Sequence, residues 1–205
     1  MKKIFVLVFL LTACTPSTPA KTQVVSSYAT LAATPWLADL YACAEKSNVV
    51  INITAQSPDI FLQVGEPEAL ISPAYQIDEE EILVVTNRES SVQNLSLEEA
   101  QELFAGQGNA SVQIWGYASE ADVQIVFDQL VMKGRSVTSL ARMAADPQQM
   151  SDVLNSEPNS VGILPKHWKA GNVREVYSAG VVPVLAITKQ EPQGIVGELV
   201  SCLQK

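Results

Sequence analysis

The sequence predicts an α/β protein with mixed, mainly parallel sheets. Apolar segments of strand length alternate with amphipathic helical segments along most of the chain. The unbroken apolar run Ile82–Val85 is typical of a strand buried on both faces, as in parallel sheets. Ser96 and Glu99 form the capping-box pattern of a helix start, and an apolar helical face follows them. The 205 residues, 47% of them hydrophobic, are enough for one large domain or two small lobes.

The first 22 residues have the pattern of an export leader followed by a tether. Lys2 and Lys3 precede the apolar run Ile4–Leu11, which is too short to span a bilayer. Leu-Thr-Ala then leads into Cys14 and matches a bacterial lipobox, which predicts a signal peptide over residues 1–13 and lipidation of Cys14. An ordinary signal peptide with an incidental cysteine is the alternative. Residues 14–22 then form a Pro/Ser/Thr-rich tether. We therefore expect an exported protein that acyl chains, palmitate among them, hold on the extracytoplasmic face of a bacterial cell membrane.

Two cysteines remain once Cys14 carries lipid. Cys43 and Cys202 both lie on apolar helical faces, and an even pair in an oxidising compartment predicts a disulfide. Two separate buried thiols are the alternative. A bridge between these positions would close most of the chain and contribute about 4–5 kcal/mol in the loop-entropy model.

Charge and motif content exclude several function classes. A formal net charge of −9 disfavours binding to nucleic acid, whose phosphates require clustered Lys and Arg. The sequence has no Gly-x-Ser-x-Gly elbow, no paired histidines at metal-ligand spacing and no Gly-rich phosphate loop. The one histidine, His167, is predicted to lie on the surface. We therefore predict a protein that is not an enzyme and has no cofactor or metal site.

The local patterns predict the elements in chain order. In the first part they predict strands over 23–27, 49–54 and 69–72, a helix from Thr34 to about Lys46 with Tyr41 in its buried stripe, and an ambiguous segment over 60–64. In the second part they predict strands over 112–115, 161–164, 173–177 and 181–187, and helices starting at Ala118, Ser136, Asp146 and Gln193.

Four blocks, in order, carry a resemblance to a known family. They are the hydroxyl-rich loop 25–30, the segment Asn-Leu-Ser over 94–96 with Leu-Phe-Ala-Gly over 103–106, the strand-to-helix step 114–119, and the segment 155–165. Together they resemble the phosphate-type solute-binding proteins, members of the type II periplasmic-binding-protein fold. The resemblance implies two lobes, with residues 23–86 and 182–205 in lobe one and residues 87–181 in lobe two.

The resemblance also implies a ligand site between the lobes. The family binds a tetrahedral oxyanion with Ser and Thr hydroxyls, backbone N–H groups at helix N-termini, an arginine and an aspartate. Carried onto this sequence, the candidate ligand-binding residues are Ser27, Thr30, Ser57, Ser72, Ser119 and Glu120. Weaker candidates are Arg88, Arg135 and Arg142. Each hydroxyl has the alternative of a loop residue that bonds to nearby backbone.

The chain departs from the family at the second-lobe helix. The family's Ser-Gly-Thr-Arg turn is replaced here by Ser119, Glu120, Ala121 and Asp122. A carboxylate that faces a phosphate dianion is repulsive, and acids in a first helical turn are also explained by the helix dipole alone. The family's Gly-x-x-Asp segment corresponds here to the segment from Gly65 to Glu68, with Glu68 near the position of the family's aspartate.

The resemblance implies a function with two open alternatives. The first is a monomeric, membrane-anchored solute-binding lipoprotein that binds phosphate or another small oxyanion and delivers it to an ABC permease. The second is a fold relative that has lost its anion site and acts as an accessory lipoprotein, through contacts with another protein.

Overall fold

Two long antiparallel strands, β4 (Ala74–Asn87) and β8 (Val173–Thr188), form the centre of the fold. The computed structural model describes residues 23–67 and 69–204. It contains one eight-stranded sheet with the order β2-β1-β3-β8-β4-β7-β5-β6. The predicted leader, the tether, the lipidation residue Cys14 and Glu68 lie outside the described residues.

The first half of the sheet contains β1 (Gln23–Ala29), β2 (Val49–Ile53) and β3 (Ile60–Val64). β1 is parallel to both of its neighbours, whereas β3 is antiparallel to β8. The helices α1 (Leu37–Lys46) and α5 (Gly194–Leu203) contact each other, and a 3₁₀ turn precedes α1. A disulfide joins Cys43 of α1 to Cys202 of α5, with an S–S distance of 2.04 Å.

The second half of the sheet lies beside the C-terminal part of β4. It contains the strands β5 (Gln113–Gly116), β6 (Arg142–Met143) and β7 (Ser160–Pro165) and the helices α2 (Leu97–Phe104), α3 (Asp122–Phe127) and α4 (Pro147–Ser156). A π-helical turn continues α3 to Met132. β5 is parallel to β6 and β7, and β7 is antiparallel to β4. Phe104 and Phe127 pack together in the core, with ring centroids 4.6 Å apart.

The structure confirms the α/β class and several local predictions. The run Ile82–Val85 is fully buried, but both of its neighbours, β7 and β8, are antiparallel to it. Burial on both faces, and not parallel pairing, therefore explains this apolar run. The capping box at α2 is present: Ser96 Oγ accepts from the Glu99 N–H at 3.3 Å, and Glu99 Oε2 accepts from the Ser96 N–H at 2.7 Å.

Other local predictions are wrong. The predicted strand over 69–72 is a loop, and the predicted helix at 136–145 is irregular chain that contains only the short strand β6. α3 begins at Asp122 and not at Ala118, and Tyr41 is 46% exposed. The two strands predicted over 173–187 are one strand, β8, which stays paired with β4 past Pro183 through three register shifts. The sheet is continuous through this region, and the division into lobes at residues 86 and 182 stays a prediction.

Two kinds of feature are absent from the described ranges. None of the helices within 23–67 and 69–204 is long and apolar enough to cross a bilayer. The same residues contain no group of three or more His, Cys, Asp or Glu side chains arranged to hold a metal ion.

Candidate functional site

A buried carboxylate lies where the two halves of the sheet meet. Asp122 Oδ2 accepts hydrogen bonds from Thr30 Oγ1 at 2.6 Å and from the Val64 N–H at 3.1 Å. Asp122 Oδ1 accepts from the Val123 N–H at 3.0 Å. Thr30 directly follows β1, Val64 ends β3, and Asp122 begins α3. We call this group, formed by Thr30, Val64 and Asp122, the junction site.

A glycine lets α3 approach the end of β3. Gly65 has a φ of +76°, and a Cβ added there would lie 2.3 Å from Val126 Cγ2 on α3. Any other residue would displace the Val126 side chain and adopt a strained backbone conformation. The Gly65 N–H donates to the Pro183 carbonyl at 2.8 Å, which fixes the turn against β8. This close packing places the first residue of α3 against the Val64 N–H.

Neutral donors, and not a cation, hold the Asp122 carboxylate. The residue is 8% exposed, and the salt bridges within the described part of the chain do not include it. Burial raises the pKa of Asp122 above its ordinary value, and the hydrogen bonds from Thr30, Val64 and Val123 oppose this rise. Burial and the nearby Asp122 charge also raise the pKa of the Tyr117 hydroxyl. The junction site therefore binds an anionic oxygen with one hydroxyl and backbone N–H groups.

The raised pKa of Asp122 predicts a pH-dependent cost in stability. A carboxyl group with a raised folded-state pKa stabilises the fold below its unfolded pKa, and this stabilisation is lost as the pH rises through the folded pKa. Asp122→Asn keeps an acceptor oxygen for Thr30 and Val64 but cannot ionise. The free energy of unfolding of the wild type, relative to Asp122→Asn, should therefore fall as the pH rises from about 3.8, the ordinary value for an aspartate.

Urea denaturation of both proteins across the acid range measures this difference. The difference should level off once the pH exceeds the raised pKa of Asp122. Glu80 has its pKa raised by burial in both proteins, so its contribution cancels in the comparison. A wild type that gains stability relative to Asp122→Asn as the pH rises would show that the three donors more than offset the burial of the charge.

A second set of contacts crosses the junction on another side. The rings of Trp36, which precedes α1, and His167, which follows β7, have centroids 4.6 Å apart. His167 Nδ1 lies 2.9 Å from Oε2 of Glu80, which is 1% exposed in the middle of β4. Trp168 Nε1 donates to the Ala32 carbonyl at 3.2 Å. The chain between β1 and α1 therefore contacts the second half of the sheet at several points.

The structure places the six predicted ligand residues in separate environments. Thr30 lies in the junction site. Ser27 is fully buried, and its hydroxyl donates to the Ile60 backbone carbonyl at 3.0 Å. Ser57 and Ser72 line a shallow surface groove of about 430 Å³. Ser119 and Glu120 are exposed and bond to each other at 3.3 Å. The hydrogen bonds to the Asp122 carboxylate involve Thr30 and none of the other five.

The three arginine candidates lie away from the Asp122 carboxylate. Arg88 Nε donates to the Val173 carbonyl. Arg142 lies over the Trp115 ring and within 3.5 Å of a Glu157 oxygen. Arg135 is exposed. None of them is bonded to Asp122 in the described structure, so the junction site differs from an anion site that contains an arginine.

Sequence reasoning missed the Val64 N–H and the central position of Asp122. A backbone donor leaves no signal in residue identity. The available signal was Gly65, because the resemblance already associated the segment from Gly65 to Glu68 with the ligand site. For Asp122 the sequence favoured a helix N-terminal acid over a ligand role, and the structure shows that its side chain turns into the junction.

This chain is similar to known proteins in structure and not in sequence. No family model matches the sequence, and no curated protein matches it. A Clostridium perfringens protein named as a phosphate ABC transporter substrate-binding protein, solved with bound phosphate, superposes with a TM-score of 0.78 at 15% identity, over 88% of this chain and 93% of its own. An ABC-type phosphate transport receptor from Vibrio cholerae gives a TM-score of 0.66 at 14% identity, over 88% and 93% of the two chains.

Regulatory domains share the same fold. The regulatory domain of Synechocystis CcmR, solved in complex with 2-PG, has a TM-score of 0.68 at 9% identity, over 89% of this chain and 96% of its own. Both kinds of neighbour span nearly the whole described chain, and they are binding proteins and regulatory domains. This chain therefore has the type II periplasmic-binding-protein fold.

Proposed function

We propose that this chain is an exported solute-binding lipoprotein that binds a small oxyanion at the junction site, with phosphate as the first candidate. The observation that carries the proposal is the pair of donors on Asp122 Oδ2. Thr30 Oγ1 and the Val64 N–H already hold an anionic oxygen at 2.6 and 3.1 Å. Oxyanions are bound by hydroxyl and backbone N–H groups of this kind.

The long strands supply a means for the two halves to move. Ligand-gated closure of a two-part fold needs a few positions that absorb backbone rotation. β4 and β8 are the strands that pass through both halves, and their pairing shifts register between Gln76 and Asp78 and between Ile82 and Leu83. The backbone around these shifts is the proposed hinge. Separation of the halves there would part Thr30 and Val64 from Asp122 and open the junction site to solvent.

Export, anchoring and delivery complete the proposal. The charged start, the short apolar run and the lipobox before Cys14 favour acyl anchoring on the extracytoplasmic face of the membrane. The fold neighbours named for phosphate transport favour an ABC permease as the partner. In this proposal the protein binds the anion as a monomer.

A second candidate function is favoured by one specific observation. The donors at the junction site are already bonded to Asp122, and none of the salt bridges in the described ranges brings a cation to it. A fold relative that keeps this carboxylate in place permanently would bind no anion. It would act instead as an accessory lipoprotein through contacts with another protein.

Calorimetric titration separates the two candidates. The protein without its leader and lipid is titrated with phosphate, sulfate, molybdate, phosphonates and small carboxylates, next to Thr30→Val. A hydrogen bond to a charged group contributes about 1.5–3 kcal/mol, which sets roughly 10- to 150-fold as the upper bound of the weakening by Thr30→Val. The measured loss should be smaller, because Thr30→Val also removes the bond to Asp122 in the free protein. Thr34→Val is the matched control, because the Thr34 hydroxyl donates to the Leu31 carbonyl and, among the described residues, takes no part in the junction site. No heat from any anion with the wild type would overturn oxyanion binding and favour the accessory function.

A further inference from the structure

If the proposed function holds, the Asp122 carboxylate and the oxyanion ligand compete for the same two hydrogen-bond donors at the junction site. Asp122 Oδ2 accepts from Thr30 Oγ1 and from the Val64 N–H. A hydroxyl hydrogen and an amide hydrogen each make one strong bond, so an incoming oxyanion cannot use them while the carboxylate does. The first half of the sheet contributes both donors, and α3 in the second half contributes the carboxylate.

We propose that Asp122 is an internal competitor of the ligand and thereby a residue that sets the affinity of this site. The inference rests on the proposed function. In the empty protein the Asp122 carboxylate takes the place of one oxygen of the anion and holds the two halves of the sheet together. A ligand binds by displacing the carboxylate from Thr30 and from Val64.

Burial and contacts distinguish this role from that of an ordinary helix acid. An acid that only complements a helix dipole lies in solvent at the first turn, as the exposed Glu98 does in α2. Asp122 is 8% exposed and bonds across the junction to a residue 92 positions earlier in the chain. Its Oδ1 accepts from the adjacent Val123 N–H, whereas both donors to its Oδ2, Thr30 and Val64, lie outside α3.

Competition has two consequences for the ligand. The apparent affinity is reduced by the fraction of molecules in which Thr30 and Val64 are free, so removal of the competitor tightens binding. The ligand must also offer these donors a better acceptor than a carboxylate. The cost of displacing Asp122 is the same for every anion, so it acts as a threshold that small anions of high charge density exceed most easily.

The test compares phosphate affinity in four proteins by calorimetry. They are the wild type, Asp122→Asn, Asp122→Ala and the control Asp152→Ala. Asp152 is an exposed acid on α4, so its loss changes the net charge equally and leaves the junction intact. Asp122→Asn keeps the size of the side chain, which protects the comparison if Asp122→Ala folds poorly. Circular dichroism of each variant verifies the fold.

We expect phosphate to bind about tenfold more tightly, or better, to Asp122→Ala, and to Asp122→Asn with an intermediate gain. Asp152→Ala should stay within about twofold of the wild type, since exposed charges are largely screened at physiological salt. Equal or weaker binding by both Asp122 variants would overturn the competitor role while leaving oxyanion binding by the wild type intact. An equal gain in Asp152→Ala would overturn it as well, because the gain would then come from net charge.

Two further outcomes separate this inference from the proposed function. Binding only by the Asp122 variants would support the competitor role and would show that the wild type keeps its site filled, which favours the accessory function. No binding by any of the four proteins would overturn both. Each result therefore decides for or against the competitor.

Discussion

Loss of the disulfide between Cys43 and Cys202 is expected to lower the free energy of unfolding by about 4–5 kcal/mol. The bridge joins residues 159 positions apart, so it restricts the unfolded chain across most of its length. It also holds α1 against α5, the first and last helices of the fold. Urea denaturation of the double variant Cys43→Ser/Cys202→Ser, compared with the wild type, measures the loss.

Reducing agent provides the matched control for this prediction. Dithiothreitol should lower the stability of the wild type towards that of the double variant and should leave the variant unchanged. Equal stability of the oxidised wild type and the double variant would mean that the cross-link restricts the unfolded chain far less than its span suggests. Because two buried thiols were the alternative at the level of sequence, thiol titration of the unreduced protein also distinguishes the two states of the cysteines.

Phe127→Ala should cost about 3–5 kcal/mol, the usual range for a fully buried phenylalanine. Phe127 is 0% exposed and packs against the equally buried Phe104 of α2, with centroids 4.6 Å apart. It ends the helix that Asp122 begins, so its loss leaves a cavity under α3. Denaturation measures the stability, and the oxyanion titration described above measures the effect on the site.

Phe61→Ala is the control for aromatic truncation. Phe61 is only half-buried and stacks on Tyr28, with centroids 5.9 Å apart, on the surface of the first half of the sheet. Its loss should cost at most about 2 kcal/mol, since much less apolar area is buried there. A similar cost for both variants would mean that Phe104 and its neighbours collapse into the space that Phe127 leaves.

Much of the fold could be predicted because its determinants are local. Ser96 and Glu99 carry a capping box in the letters themselves, and Asp146 before Pro147 marks the start of α4 equally well, with its side chain accepting from the Gln149 N–H. The apolar run Ile82–Val85 correctly predicted a central buried strand. The direction of the neighbouring strands was not predictable in this way. A strand with both faces covered has the same apolar sequence pattern beside parallel and antiparallel neighbours.

The candidate site was far less predictable, because it depends on contacts between distant segments. Thr30 and Asp122 are brought together by the packing of α3 on Gly65, which periodicity cannot reveal. Val64 contributes a backbone N–H that any residue would supply. Ser27 resembles a ligand residue in the sequence, yet its hydroxyl is buried against the Ile60 carbonyl. Hydroxyl side chains near strand ends are common. Only the tertiary structure distinguishes those that donate to a nearby backbone carbonyl from those that lie in the junction site.

The most direct test of the central claim is a phosphate titration of ¹⁵N-labelled protein followed by amide resonances. If the junction site binds the anion, the Val64 amide should show one of the largest saturable shifts, because its N–H exchanges the Asp122 carboxylate for the ligand. The Val123 amide, which bonds to the same carboxylate, should move with it. Saturable shifts at Lys189, which lines the surface groove of Ser57 and Ser72, with the Val64 and Val123 amides unmoved, would place the anion elsewhere and contradict the claim.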